Sequence, residues 1–251
     1  KHRVVFAGDR VRDLDFVAAI FQDLGSAPAT MEASKCADAI GCCPGNSAEE
    51  ADAEQAYIQA DMRGCETWVS LPDWQECPEA FPDWWAEECQ RYKRPVVRMD
   101  KALYEHPKAG LYWEKHCDKQ LVSIGFKQVD GWSSVYWHPQ LEVLLAVYVD
   151  DFKAAGRPKA MEKAWKMIQD VTQMEDPKDA HLYLGCIHEK TTQHIAGVGD
   201  VAVMTYNMEA YLTQIVSDFE ELCSQLYGTK YELPSVSTPF LDEAVSYTHL
   251  R

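Results

Sequence analysis

Leu144-Leu145-Ala146-Val147 is a continuous apolar run, and it closes on two acids in Tyr148-Val149-Asp150-Asp151. A run with no polar alternation predicts a strand buried on both faces. Upstream, Arg3-Val4-Val5-Phe6 predicts a short strand ending at Gly8. Thr30 stands where it can cap a helix running to about Gly41, with Ala33, Ala37 and Ile40 on its apolar face. Pro44-Gly45-Asn46 marks a loop over 42–47. The segment 50–58 sets Asp52 just before a turn or short helix, 67–71 reads as a strand ended by Pro72, 78–92 as a Trp-rich helix and 96–99 as a strand. A long amphipathic helix is predicted over 108–124, with Leu111, Lys115, Asp118 and Val122 marking its different faces and Gly125 stopping it. Strands near 128–137 and 142–149 follow, joined by His138-Pro139-Gln140. That hairpin points Asp150 and Asp151 out of its far end. A helix over 158–174, a strand over 181–189 and a helix over 208–227 complete the pattern, with a loop from Glu232. The central order of strand, helix, two paired strands, helix, strand predicts an α+β fold. It is the split βαβ arrangement of a ferredoxin-like antiparallel sheet with helices on one face.

Composition narrows the function. With 251 residues, 47% hydrophobic and 25% charged, the chain can bury a substantial core. No apolar stretch approaches membrane-spanning length, so no membrane role is expected. The absence of an initiator Met leads us to expect a segment of a longer polypeptide. Nine cysteines, irregularly spaced and without a C-x-x-C pair, predict reduced thiols in an intracellular compartment rather than disulfides or structural zinc. Acids outnumber bases 40 to 24, for a net charge of −16. That balance argues against nucleic acid, whose phosphates are usually met by a basic surface. Bases are denser in 1–12, 91–98, 101–119 and 153–166, which leaves room for a cationic channel inside an acidic shell.

The paired acids carry the chemistry. Two carboxylates at the mouth of a buried strand are costly unless a cation meets them, and hard divalent cations take carboxylate oxygens. An Asx-type turn needs only one of the two. In the predicted topology the strand bearing Asp52 lies beside the hairpin bearing Asp150 and Asp151. Three carboxylates on one rim suit two divalent ions, one activating a hydroxyl and one stabilising a leaving pyrophosphate.

Several segments together resemble the reverse transcriptase of copia-type LTR retrotransposons. Lys1-His2-Arg3-Val4-Val5-Phe6-Ala7-Gly8 is similar to the family's opening Lys-x-Arg-Leu-Val-x-x-Gly. Asp52-Ala53-Glu54-Gln55-Ala56-Tyr57-Ile58 is similar to Asp-Val-x-x-Ala-Phe-Leu, and Trp68-Val69-Ser70-Leu71-Pro72 to Val-Tyr-Met-x-x-Pro. Lys101-Ala102-Leu103-Tyr104 with Trp113 resembles Lys-x-Leu-Tyr-Gly-Leu-Lys-Gln-x-Pro-Arg-x-Trp. The segment 145–151 resembles Leu-x-Val-Tyr-Val-Asp-Asp, Leu182-Tyr183-Leu184-Gly185 resembles Phe-Leu-Gly, and Ser237-Thr238-Pro239 resembles a late Ser-Thr-Pro.

The resemblance implies a right-hand polymerase: fingers at 1–50, a palm at 51–189 with an inserted fingers segment at about 73–110, and the connection to a thumb at 190–251. It implies RNA-directed DNA synthesis from an RNA template and a DNA primer with dNTPs. Two Mg²⁺ ions, or Mn²⁺ in their place, would sit on Asp52, Asp150 and Asp151. Tyr57 would lie under the incoming sugar and exclude a ribose 2′-hydroxyl, Lys1 and Arg3 would reach the triphosphate, and Lys108 would stand in the nucleotide pocket. Leu184 and Gly185 would support the primer end. RNase H and integrase segments of the same polyprotein would be partners, in the cytoplasm and in virus-like particles. The chain departs from the pattern at Glu105, where the family has Gly, and over 108–111, where Lys108 replaces Gln and Leu111 replaces Arg. Two other readings stand beside this one: a catalytically degenerate relic of the same fold, and an acidic protein-interaction domain in which Asp150 and Asp151 merely end a hairpin.

Overall fold

The structure, a computed structural model, describes residues 6–21, 26–64, 66–70, 83–89, 91–92 and 95–234. Its helices are α1 (Met31–Cys42), α2 (Ala56–Gln59), α3 (Asp83–Cys89), α4 (Ala109–Ser123), α5 (Pro158–Gln169) and α6 (Glu209–Tyr227). Its strands are β1 (Ser47–Asp52), β2 (Trp68–Ser70), β3 (Val96–Arg98), β4 (Lys127–Gln128), β5 (Val135–His138), β6 (Val143–Tyr148), β7 (Asp151–Gly156), β8 (Lys178–Asp179), β9 (Leu182–Tyr183), β10 (Cys186–Ile195) and β11 (Gly199–Asn207).

Alternation along β6 organises the rest. Every side chain from Val143 to Val147 is buried. Val143, Leu145 and Val147 join one apolar cluster, and Leu144 and Ala146 join a second on the opposite face. Around β6 the strands form a six-stranded antiparallel sheet in the order β4-β5-β6-β7-β1-β8. The first cluster is closed by α4, through Trp113, Cys117 and Leu121, and by α5, through Met161, Ala164, Trp165 and Ile168. The α5 positions fall at i, i+3, i+4 and i+7, one helical stripe. Each large side chain so buried contributes roughly 1.5–3 kcal/mol. The second cluster is closed by α1, whose Ala33 and Ala37 are fully buried against Val135, Leu144, Ala146 and Ala155. Small side chains let α1 sit close to the strands. The expectation of helices on one face is therefore corrected: a third helix covers the other.

Other boundaries moved for local reasons. The acids do not end the predicted hairpin; they begin another, because 151–156 forms β7 and Tyr148 pairs with Asp151 across a two-residue turn. The predicted strand over 128–137 divides into β4 and β5. The fifth helix ends at Gln169 rather than 174, because the chain then turns to run beside β1: Glu175 N–H donates to the Asp52 carbonyl at 2.9 Å and Glu54 N–H to that of Gln173 at 3.0 Å. The buried stripe of α4 is Ala109, Trp113, Cys117 and Leu121, and Val122 is exposed. The strand predicted over 181–189 divides at Leu184-Gly185 into β9 and β10. With the unforeseen β11 these make a separate three-stranded sheet in the order β11-β10-β9. Along α6 no residue is buried: Leu212, Ile215, Phe219, Leu222 and Leu226 form an exposed stripe at spacings of three and four. Most of the first predicted strand, Leu71, Pro72 and Ser237-Thr238-Pro239 lie outside the described residues. No helix among the described residues is long and apolar enough to cross a membrane.

Candidate active site

Three acids meet where β1 ends and β7 begins. In the β1–β7 register Asp52 is the cross-strand partner of Asp151. The Ala53 N–H donates to the Asp150 carbonyl at 2.7 Å, which ties the end of β1 to the turn. Inside that turn Val149 takes a left-handed φ of +57°. A β-branched residue adopts this only under constraint. The constraint is visible: the Trp113 indole N–H donates to the Val149 carbonyl at 2.6 Å, and Trp113 is buried in the core. Thus α4 pins the turn from below and β1 pins it from the side.

Among the described residues none of Asp52, Asp150 and Asp151 has an ion-pair partner. The Asp151 carboxyl is pushed up to about 6, first by burial, then by the charges of Asp150 and Asp52, a hydrogen bond with Asp52, and the charge of Glu50. Glu50 sits two residues before Asp52 on β1, 4% exposed, with its Oε2 unpartnered and its carboxyl pushed up by burial.

Tyr57 reaches the same corner from α2. That helix starts after Gln55, whose φ of +51° turns the chain sharply away from β1. The Gln59 amide fastens it, donating to the carbonyls of Glu54 and Gln173 at 2.7 and 2.8 Å. The Tyr57 ring packs on Tyr104, centroids 4.8 Å apart. Its hydroxyl is pushed up by burial, then by the charges of Asp150 and Tyr104, so the ring lies within electrostatic reach of the acids. Lys108 stands at the N-cap of α4, half-buried, next to Ala109, which packs with Ala60, Ala102 and Tyr57.

Leu184 and Gly185 form the two-residue turn between β9 and β10, with φ of +50° and +77°. Gly185 lies under the Tyr211 ring, where an added Cβ would meet it at 3.3 Å. This turn belongs to the second sheet and reaches the acid-bearing one through its neighbours. Leu182 N–H donates to Glu50 at 3.4 Å, and Tyr183 packs over Lys153. Lys1 and Arg3 lie outside the described residues. Sequence reasoning missed Glu50, and it missed the buried Lys153 with its partners Asp38 and His188. A lysine inside the apolar stretch Phe152–Ala155 was the available signal.

Among the described residues no group of three or more His, Cys, Asp or Glu side chains is drawn together tightly enough to hold a metal ion by itself. All seven described cysteines are free thiols.

A family model described as reverse transcriptase (RNA-dependent DNA polymerase) matches residues 19–229. The chain is also 27% identical, over 129 residues, to a putative transposon Ty5-1 protein of Saccharomyces cerevisiae. That match covers 50% of this chain and 39% of the yeast protein, so the chain spans less than half the length of this relative. No solved structure matches.

Proposed function

We propose, for a chain that belongs to the reverse transcriptase (RNA-dependent DNA polymerase) family, that it is the polymerase domain of a copia-type retrotransposon and extends a DNA primer 3′-hydroxyl on an RNA template. The observation that carries the proposal is the convergence of Asp52, Asp150 and Asp151 at one corner of the sheet, with Asp52 and Asp151 in register. The segments 1–50, 51–189 and 190–251 would serve as fingers, palm and the connection to a thumb, with 73–110 inserted from the fingers.

The acids fit divalent metal. Among the described residues their charges have no ion-pair partner, and Asp151 is driven toward its protonated form first by burial and then by the charges of Asp150 and Asp52. Mg²⁺ is a cation held by one or two carboxylates while substrate phosphates and water complete its shell, and these acids offer that donor set. Asp52, Asp150 and Asp151 would hold it. When bound it would supply charge to polarise the primer hydroxyl and neutralise the leaving pyrophosphate. Asp150 and Asp151 are presented by a turn that Trp113 and Ala53 lock, so their positions are set before substrate arrives. Tyr57, backed by Tyr104, would stand beneath the sugar and discriminate against ribose. Lys1, Arg3 and Lys108 would contact the nucleotide, and Leu184-Gly185 the primer end. RNase H and integrase segments of the same polyprotein would be its partners, in the cytoplasm and in virus-like particles.

The test is extension of oligo-dT on poly-rA with Mg²⁺, at low salt, wild type beside Asp150→Asn. Extension by wild type and its abolition in the variant are expected. Equal extension by the two would remove the assignment of the acids. A folded wild type that extends nothing would leave the chain a relic of its family.

A further inference from the structure

On the same face of the sheet as Asp52 and Asp151 lies a buried polar network that nucleotidyl transfer does not use. Lys153, two residues beyond Asp151 on β7, is fully buried. Its ammonium stands 2.5 Å from Asp38 Oδ1 and 3.2 Å from Ser34 Oγ, both on α1, and 3.0 Å from His188 Nδ1 on β10. It also lies over the Tyr183 ring, 4.9 Å from the centroid. The ammonium is thus ion-paired with Asp38 and donates to Ser34 and, in one tautomer, to His188. The other Asp38 oxygen accepts from the Tyr206 hydroxyl of β11 at 3.0 Å. It also lies 3.0 Å from His188 Nδ1, which donates to it in one tautomer and accepts from Lys153 in the other. A few residues on, Lys190 reaches the Gly41 carbonyl near the end of α1 at 2.6 Å.

These contacts matter because little else holds this part of the chain. In β10 only Cys186 and His188 are buried, and in β11 and α6 no residue is. An arm whose apolar footing is Tyr183 and Cys186 is located chiefly by its directional polar contacts, and in a dry interior these tolerate little displacement.

We propose that Lys153 is a positioning residue: clasped by Asp38 and His188, it fixes the β9–β11 arm, with its Leu184-Gly185 turn, against the strand that carries Asp151. The two turns then keep a set separation, so that the primer end supported by one arrives at the acids of the other. This rests on the primer-extension reading above. Asp38 and His188 share the role, since each contributes from a separate element.

The experiment uses the double variant Lys153→Met/Asp38→Leu, which removes both charges together and strands neither in the interior. Hydrogen exchange is followed by mass spectrometry, and Michaelis constants are measured separately for primer–template and for dNTP. The expected result is at least tenfold faster exchange over 186–207 with 135–148 unchanged. The primer–template KM should rise about tenfold and the dNTP KM should stay as in wild type. Unchanged exchange in the arm, a uniform rise through the whole sheet, or a loosened arm with an unaltered primer KM would each overturn the proposal. A role in stability alone would lower the melting temperature without separating the two Michaelis constants. Were wild type unable to extend any primer, the polymerase reading would fall and take the primer half with it; the exchange measurement would still decide whether Lys153 fixes the arm.

Discussion

Glu105 occupies a backbone conformation that suits a different residue. Its φ is +66°, in the left-handed region, while its side chain is exposed. The surrounding contacts leave it no alternative. Phe6 N–H donates to the Tyr104 carbonyl at 2.9 Å, His106 N–H to that of Leu103 at 3.1 Å, and Gly8 approaches so closely that an added Cβ would lie 2.2 Å from the Glu105 carbonyl oxygen. An L-residue held there costs about 1–2 kcal/mol. Glycine removes that cost and gives back about 0.5–1 kcal/mol through its freer unfolded chain. Glu105→Gly, which restores the residue of the family pattern, should therefore stabilise by roughly 0.5–1 kcal/mol, raising Tm by about 1–4 °C in a chain of this size. The assay is thermal unfolding followed by circular dichroism, with Glu105→Ala as control, because alanine keeps the Cβ and should change Tm little. A lower Tm for the glycine variant, or equal gains for glycine and alanine, would refute the reasoning.

Three further outcomes follow from the same geometry. The folded-state pKa of Asp151, about 6, exceeds the ordinary value of 3.8, so the stability linked to it is present below pH 4 and lost as pH rises through 6. Asp151→Asn should accordingly raise Tm at pH 7.5 and not at pH 4, and an equal gain at both would exclude the linkage; metal-free buffer is required, since a bound cation would compensate the same charge. Trp113→Phe keeps the packing but leaves the half-buried Val149 carbonyl without its donor, and should cost about 0.5–1.5 kcal/mol in urea unfolding and, on the proposed polymerase function, slow primer extension; wild-type stability would show that the bond does not anchor the turn. Burial pushes the Cys117 thiol far up and encloses it, so a thiol reagent at pH 8 should label exposed Cys36 and Cys43 in the native protein and Cys117 only after denaturation.

Local pattern reached some of this structure and stopped at identifiable places. The run at 144–147 predicts a doubly buried strand, and β6 is one. Ala33 and Ala37 predict the packed face of α1. The order of elements places Asp52 beside the acid-bearing hairpin, and the register pairs it with Asp151. What failed depends on distant partners. β7 was invisible because Lys153 breaks its apolar run, and a lysine becomes acceptable there only through Asp38, 115 residues upstream, and His188, 35 downstream. The expected strand reaches Glu189, but β10 beyond it is exposed and β11 buries no side chain fully, so their alternation carries little hydrophobic amplitude to detect. The family pattern points to the acids, Tyr57 and Trp113, and it is silent on Glu50 and on the Lys153 network, which arise from residues brought together only by the sheet.

The stripe along α6 sets two responses to ionic strength against each other. A net charge of −16 holds copies of the chain apart in dilute salt. Raising the salt shortens the Debye length from about 10 Å at 0.1 M to about 3 Å at 1 M. Repulsion then fades, while the tendency of the exposed Leu212, Ile215, Phe219, Leu222 and Leu226 side chains to leave water does not. The same salt strips phosphate contacts from any nucleic acid the protein holds. If the chain holds a template as proposed, dilute salt would favour both that hold and the lone chain, and concentrated salt would weaken both together.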